Sequence, residues 1–153
     1  MRDTRVMPRL LARDQPDLLG AAHELCDGAL RELKTVGQML LTELMPLINA
    51  HQGTIYHLTD ETGEKGDSTL KLLSSYAHGG SMPVTEQIYL GEGLVGQCAV
   101  EKKRILLTDV PPDFISISSS LGEARQVSII VLPVLFEGQT KAVIELATLQ
   151  HFD

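Results

Sequence analysis

The chain has 153 residues, of which 43% are hydrophobic, and its 13 Lys and Arg side chains are outnumbered by 20 Asp and Glu. This length predicts one domain with an apolar core. The net charge of −7 argues against nucleic acid as a partner, because binding to a phosphate backbone depends on clustered cations. The longest apolar stretch, residues 127–136, is too short to span a bilayer, and no signal peptide follows Met1. We therefore expect a cytoplasmic location and no membrane span in this chain.

A long amphipathic helix over residues 14–49 is the first predicted element, after a basic and flexible tail at 1–13. Asp14 is placed to cap its start. Interior glycines and Pro46 leave open whether the segment is one kinked helix or two helices. Its apolar side chains recur at helical spacing: Leu18, Ala22, Leu25, Ala29, Leu33, Val36, Leu40, Leu44 and Leu47.

The first half of this stripe extends beyond what a sheet of a small domain could cover. We take Leu18, Leu25 and Leu33 as its markers. An apolar stripe left open on a helix is typical of a helix that packs on another helix. The sequence therefore predicts a homodimer in which this helix meets its copy.

From residue 53 to 149 the hydrophobic period changes to that of strands. A polar turn at 60–67 predicts a hairpin, and the apolar run at 127–136 predicts a central strand covered on both faces. A helical excursion interrupts the sheet, and the Ser-rich run at 116–120 is expected to be loop or a short helix. The remaining predicted strands lie at 54–58, 70–73, 86–90, 104–109 and 140–148, and the short helix at 94–102.

The motif Gly91-x-Gly93-x-x-Gly96 has the spacing of a dinucleotide-binding loop. Glu92 would place a carboxylate where a pyrophosphate should lie, and the rest of the chain is too short for a doubly wound sheet. The pattern therefore favours a sharp turn from strand to helix with close backbone packing. A nucleotide-binding enzyme that uses this loop is the alternative.

No other pattern indicates catalysis or metal binding. Cys26 and Cys98 form no Cys-x-x-Cys motif, and Cys98 falls on the apolar face of the short helix, where an inert buried thiol is expected. The five histidines are scattered without ligand spacing. We therefore predict no catalytic residue, no metal and no cofactor.

Four segments together resemble a GAF domain of the kind found in bacterial hybrid sensor histidine kinases. They are residues 40–47, 90–97, 105–111 and 130–138. The resemblance runs from Val36 to Phe152 and implies an α+β fold. In that fold a GAF/PAS-like antiparallel sheet of about five to six strands is flanked by helices, with the long helix at the N-terminus.

The resemblance also implies a sensory or dimerising module of a two-component system and not a catalyst. Its partners would be the kinase core and the neighbouring signalling domains of the parent chain. Members of the family normally continue into a further helix after the position of Phe152, so we expect the chain to be a fragment of a longer protein. No bilin-attaching, haem-ligating or cyclic-nucleotide motif of the family is present, which leaves any ligand open.

The resemblance further implies a pocket between the sheet and the segments that follow strands three and four. A lining of this kind suits a small, mostly uncharged molecule that is not yet identified. The alternative is a filled core without a ligand. The expected lining residues are Ser75, Tyr76, Leu94, Val95, Cys98, Ile115, Ser116, Ile117, Ser118 and Ile129.

Overall fold

The structure of the protein is a computed structural model. It describes residues 18–59, 68–77, 84–111, 118–119, 122–123 and 127–152. The chain divides into two compact units, residues 1–33 and 34–153. The first unit contributes the N-terminal part of one helix, and the second contains the rest of that helix and the sheet. The predicted basic tail at 1–13 and the capping residue Asp14 lie outside the described residues.

Helix α1 is continuous from Leu18 to Leu47, which settles the choice between one helix and two. Pro46 lies in its last turn. The helix ends where Asn49 takes a left-handed conformation with φ 51°, and the amide of Ala50 donates to the carbonyl of Met45 at 3.0 Å. A left-handed residue after the last turn is a common helix terminator, and Asn tolerates it better than most residues.

The main sheet has six strands, all antiparallel, in the order β3-β2-β1-β8-β7-β4. This confirms the predicted α+β class and the strand number. The strands are β1 Gln52–Thr59, β2 Thr69–Tyr76, β3 Gln87–Tyr89, β4 Ile105–Val110, β7 Val127–Phe136 and β8 Gln139–Thr148. The first and last strands along the chain, β1 and β8, are therefore neighbours in the middle of the sheet.

Two short strands, β5 Ser118–Ser119 and β6 Gly122–Glu123, pair as a separate two-stranded sheet. The Ser-rich run at 116–120 was expected to be loop or a short helix. Its described residues, Ser118 and Ser119, form a strand instead, which corrects the expectation for these two residues. The two pairs of this ladder are Ser118 with Glu123 and Ser119 with Gly122.

The sheet is covered on one face by the second half of α1. Leu41 and Met45 are buried there, and a Cβ atom added to Gly53 would meet both of them and Leu146. Since β1 and β8 pair Gly53 with Leu146 and Ile55 with Ile144, these strand residues point towards α1.

The other face is covered by α2, Gly93–Glu101. An apolar cluster joins this helix to the sheet, with Tyr56 from β1, Val143 from β8 and Ile129 from β7. The expectation that β7 is covered on both faces holds for its first half only. Its last three residues, Val134, Leu135 and Phe136, are exposed.

Candidate functional site

The predicted pocket residues do not all lie together in the structure. Val95, Cys98 and Ile129 are buried together in the cluster under α2, and Leu94 packs against that cluster. Tyr76 is half-buried at the end of β2. Ile115, Ser116 and Ile117 lie outside the described residues, as does the side chain of Ser118. The structure thus brings part of the lining together, and the pocket as a whole stays a prediction.

Three polar residues on the same face of the sheet were missed by the sequence reasoning. Thr54 on β1 pairs with Glu145 on β8, and Tyr56 follows two residues later on the same face of β1. The face is the one covered by α2, because Tyr56 belongs to the cluster that includes Val95 and Cys98. The available signal was Glu145 itself, a lone carboxylate inside the otherwise apolar stretch 142–147.

Burial controls the electrostatics of this group. It raises the pKa of Glu145, an effect that the nearby Thr54 hydroxyl partly offsets. Burial, and then the charge of Glu145, raises the pKa of Tyr56 to about 12, again with a smaller opposing effect from Thr54. The phenol of Tyr56 donates a hydrogen bond of 2.9 Å to the carbonyl of Thr85. The Thr54 Oγ1 is buried and has no hydrogen bond of normal geometry.

The glycine motif forms a turn between β3 and α2. Gly91 and Gly93 have φ values of 83° and 59°, a region that favours glycine. A Cβ atom on Gly96 would collide with the carbonyl oxygen of Tyr89. Glu92 folds back on the turn, since its carboxylate accepts a hydrogen bond of 3.0 Å from the amide of Tyr89. Each glycine therefore has a local structural reason, as the turn interpretation predicts.

The two cysteines lie in contrasting environments. Cys26 is exposed on α1 and Cys98 is buried on α2. The Cys98 Sγ donates to the carbonyl of Lys103 at 3.2 Å, and burial followed by the charge of Glu101 raises the pKa of the thiol. A raised pKa keeps Cys98 protonated, and the protonated form is the less nucleophilic one.

An open groove of about 720 Å³ lies on the α1 side of β2. Lys34, Gln38 and Lys71 contribute polar side chains to it, and Ser75, expected in the predicted pocket, lies along it. The pKa of His57 is lowered by burial and then by the charges of Lys71 and Lys34. The groove is open and its lining is mixed, with Leu72 and Leu73 beside the polar residues, unlike the apolar pocket that the sequence predicts.

The helix residues predicted to meet a second copy are exposed where they are described. Leu25 exposes 75% of its side chain and Leu33 45%. Leu18 begins α1, but its side chain lies outside the described residues. Further along α1, Val36, Leu40 and Leu47 from the predicted stripe are also exposed, whereas the sheet is contacted by Leu41 and Met45.

Within the described ranges, no group of three His, Cys, Asp or Glu side chains is arranged to hold a metal ion. In the same part of the chain, no helix has both the length and the apolar character needed to cross a membrane.

A family model described as GAF domain matches residues 31–153. No curated protein matches the chain.

Several solved structures are similar to it. One is a type II free methionine-R-sulfoxide reductase from Thermoplasma acidophilum, with 19% identity and a TM-score of 0.58 over 80% of this chain and 78% of that one. Another is the GAF domain of an Acinetobacter phosphoenolpyruvate-protein phosphotransferase, with 13% identity and a TM-score of 0.54 over 91% and 82%. A third is a free methionine-R-sulfoxide reductase from Neisseria meningitidis in complex with its substrate, with 23% identity and a TM-score of 0.52 over 81% and 66%. At these identities the similarity shows the fold alone.

Proposed function

This chain belongs to the GAF domain family, and we propose that it is a non-catalytic regulatory module that forms a homodimer through α1. In this proposal it is a cytoplasmic part of a two-component histidine kinase. It passes a signal to the kinase core by a change in the packing of α1 against its copy. The kinase context is supported by the resemblance of the four segments described above.

The observation that carries the proposal is the apolar face that α1 leaves exposed. Val36 exposes 61% of its side chain and Leu47 80%, although both are large apolar residues. Val36 lies five residues before Leu41, which places it roughly 140° around the helix from a residue that the sheet buries. The second half of α1 thus has two apolar faces, and only one of them is covered by the sheet.

A second copy of the chain fits this face because its apolar residues recur as in a coiled-coil seam. The spacing alternates between three and four residues through Ala29, Leu33, Val36 and Leu40, with Leu47 one heptad later. A stripe of this kind is complementary to itself, as a two-fold interface requires.

The catalytic alternatives have less support. The glycines of the motif are explained by the turn between β3 and α2. The Cys98 thiol is buried and donates a hydrogen bond to a backbone carbonyl. Two of the similar structures are reductases of free methionine sulfoxide. In this chain a nucleophilic role for the Cys98 thiol is disfavoured, because burial raises its pKa.

The test is the mass of the protein in solution. We expect the unmodified chain to be a dimer at micromolar concentration by light scattering. Val36→Glu and Leu25→Glu should each give a folded monomer, since a buried pair of carboxylates would face each other across the seam. Thr42→Glu is the matched control, because Thr42 is exposed on α1 away from this stripe. A chain that is already monomeric at micromolar concentration would contradict the dimer.

A further inference from the structure

The open groove between α1 and β2 brings charged side chains from different elements together, and the dimer proposal does not use it. Lys34 lines the groove from α1 and Lys71 lines it from β2, while Glu86 lines it just before β3. All three residues belong to the compact unit 34–153. At about 720 Å³ the groove has the size of a small-molecule site, which typically measures roughly 300–1,000 Å³.

Strand β2 has a bulge at this groove. The pairing of β2 with β1 skips Leu73, and a Cβ atom on Gly37 of α1 would meet the side chains of both Leu73 and Ser74. Two successive residues of β2 therefore face α1, as a bulge allows. The Ser74 hydroxyl donates a hydrogen bond of 3.0 Å to the carbonyl of Lys34, so the groove is built on a direct link between the two elements.

A titratable residue of β1, His57, lies beside the two lysines. His57 is the register partner of Lys71, and residues paired in this way place their side chains on the same face of the sheet. After the larger effect of burial, the charges of Lys71 and Lys34 both lower the pKa of His57. On β8 its register partner is Ala142, which carries no charge. Two ammonium groups from two elements thus act on one imidazole.

From this juxtaposition we propose that the groove binds the phosphate group of a small phosphate ester, with Lys34 and Lys71 as its counter-charges. A phosphate monoester carries about −1.5 to −2 charges at pH 7, which two ammonium groups match better than they match a single carboxylate. Lysine binds phosphate as a point charge and needs no bidentate geometry. Hydroxyl and amide side chains along the groove suit a polar remainder of the ligand: Thr35, Gln38, Ser75 and Gln87.

The groove and the apolar stripe of α1 lie on different sides of the helix. Leu41 is fully buried against the sheet and serves as the reference. At roughly 100° per residue, Lys34 and Gln38 lie about 20° and 60° from Leu41 in one direction around the helix, and Leu40 lies about 100° in the other. A ligand in the groove therefore leaves the stripe open to a second copy. Its role as the signal molecule of the module rests on the proposed function, since it would contact α1 and β2 at once.

The experiment uses the full chain with glycerol 3-phosphate as probe and glycerol as its uncharged match, at constant ionic strength, followed by backbone amide chemical shifts. We expect saturable shifts in β2 and in the facing part of α1, at least about tenfold weaker binding of glycerol, and severalfold weaker binding of inorganic phosphate.

Variants of the charged residues locate the site. Lys34→Gln and Lys71→Gln should each weaken glycerol 3-phosphate at least about fivefold, because each removes one counter-charge. Glu86→Gln should tighten binding, because it removes a carboxylate that repels the phosphate. Lys141→Gln is the matched control, since Lys141 is an exposed strand lysine outside the groove and its loss changes the net charge equally.

The imidazole of His57 gives a second readout. A bound phosphate offsets the charges of the two lysines, so glycerol 3-phosphate should raise the pKa of His57, measured from the shifts of its ring protons. Saturable binding that leaves this pKa unchanged would place the ligand elsewhere and overturn the inference.

The inference is also overturned if the unmodified chain does not bind glycerol 3-phosphate, or binds glycerol or inorganic phosphate as tightly. Equal weakening by Lys141→Gln and the two groove variants would show attraction by net charge alone and would refute the site. Light scattering on the same samples separates this failure from that of the proposed function. A dimer that does not bind glycerol 3-phosphate refutes the phosphate site alone, and a monomer that binds it refutes the dimer alone. Unfolding curves of each variant confirm that it is folded.

Discussion

Burial has the largest effect on the pKa of two ionisable residues that share one face of the sheet. Glu145 and Tyr56 lie on one sheet face, and burial is the largest cause of the raised pKa of each. An acid whose pKa is raised by folding holds its proton more tightly in the folded state than in the unfolded state. Its contribution to stability is then complete below the ordinary pKa and decreases as pH rises through the folded one.

Glu145→Gln tests this dependence. Because the ordinary pKa of Glu145 is 4.5 and folding raises it, the free energy of unfolding of the unmodified chain should decrease relative to the variant as pH rises above that value. Urea unfolding at a series of pH values from about 4 to 8 measures the difference. The pKa of Tyr56, about 12 with Glu145 present, should also move down in the variant, since one raising charge is removed. A constant difference across this range would contradict a raised pKa of Glu145. The same trend in Glu137→Gln, a control in the exposed turn between β7 and β8, would also contradict it.

Within α1, two glycines have opposite surroundings. A Cβ atom on Gly28 would meet nothing within 4 Å, whereas one on Gly37 would lie 2.7 Å from Ser74 Oγ and 3.2 Å from Leu73. The Ser74 hydroxyl is held there by a hydrogen bond of 3.0 Å to the carbonyl of Lys34. Gly37 thus allows α1 to approach β2 closely, and Gly28 has no such role in the described structure.

Substitution by alanine should therefore change the stability of the protein in opposite directions at Gly28 and at Gly37. Gly28→Ala should stabilise the helix by about 0.5–1 kcal/mol, because alanine loses less backbone entropy. Gly37→Ala should destabilise the fold by about 1–3 kcal/mol through overpacking against Ser74. Urea unfolding followed by helical circular dichroism compares the two. Equal effects of the two substitutions would show that α1 does not pack on β2 at Gly37.

For the whole molecule, association and stability should be linked. If the chain dimerises through α1, only the folded state benefits from the partner, and stability then depends on protein concentration. The exposed apolar residues Val36, Leu40 and Leu47 are the surface that such association would bury.

The melting temperature should therefore rise with protein concentration. Each tenfold increase adds about 1.4 kcal/mol to the free energy of unfolding of a dimer. Calorimetry from about 5 to 500 µM should show this rise for the unmodified chain and for Thr42→Glu, and no rise for Val36→Glu. A melting temperature independent of concentration in all three would count against the dimer.

The sequence by itself determined the elements and their class. Helical spacing predicted α1, alternation and turn residues predicted the strands, and the glycine motif predicted the turn into α2 at Gly93. These features depend on residues close together in the chain, so the local pattern contains them. The same reasoning singled out the stripe through Val36 and Leu40 on α1, and the structure leaves that stripe exposed.

Only the tertiary structure decided which face of α1 meets the sheet and which polar residues share the opposite side. Leu41 and Met45 lie against Gly53 because β1 and β8 are central neighbours, although they are far apart in sequence. The same pairing brings Glu145 to Thr54. A carboxylate in a strand is ordinarily a solvent-facing residue, whereas Glu145 is half-buried. Its partial burial depends on long-range strand order, which no local pattern encodes.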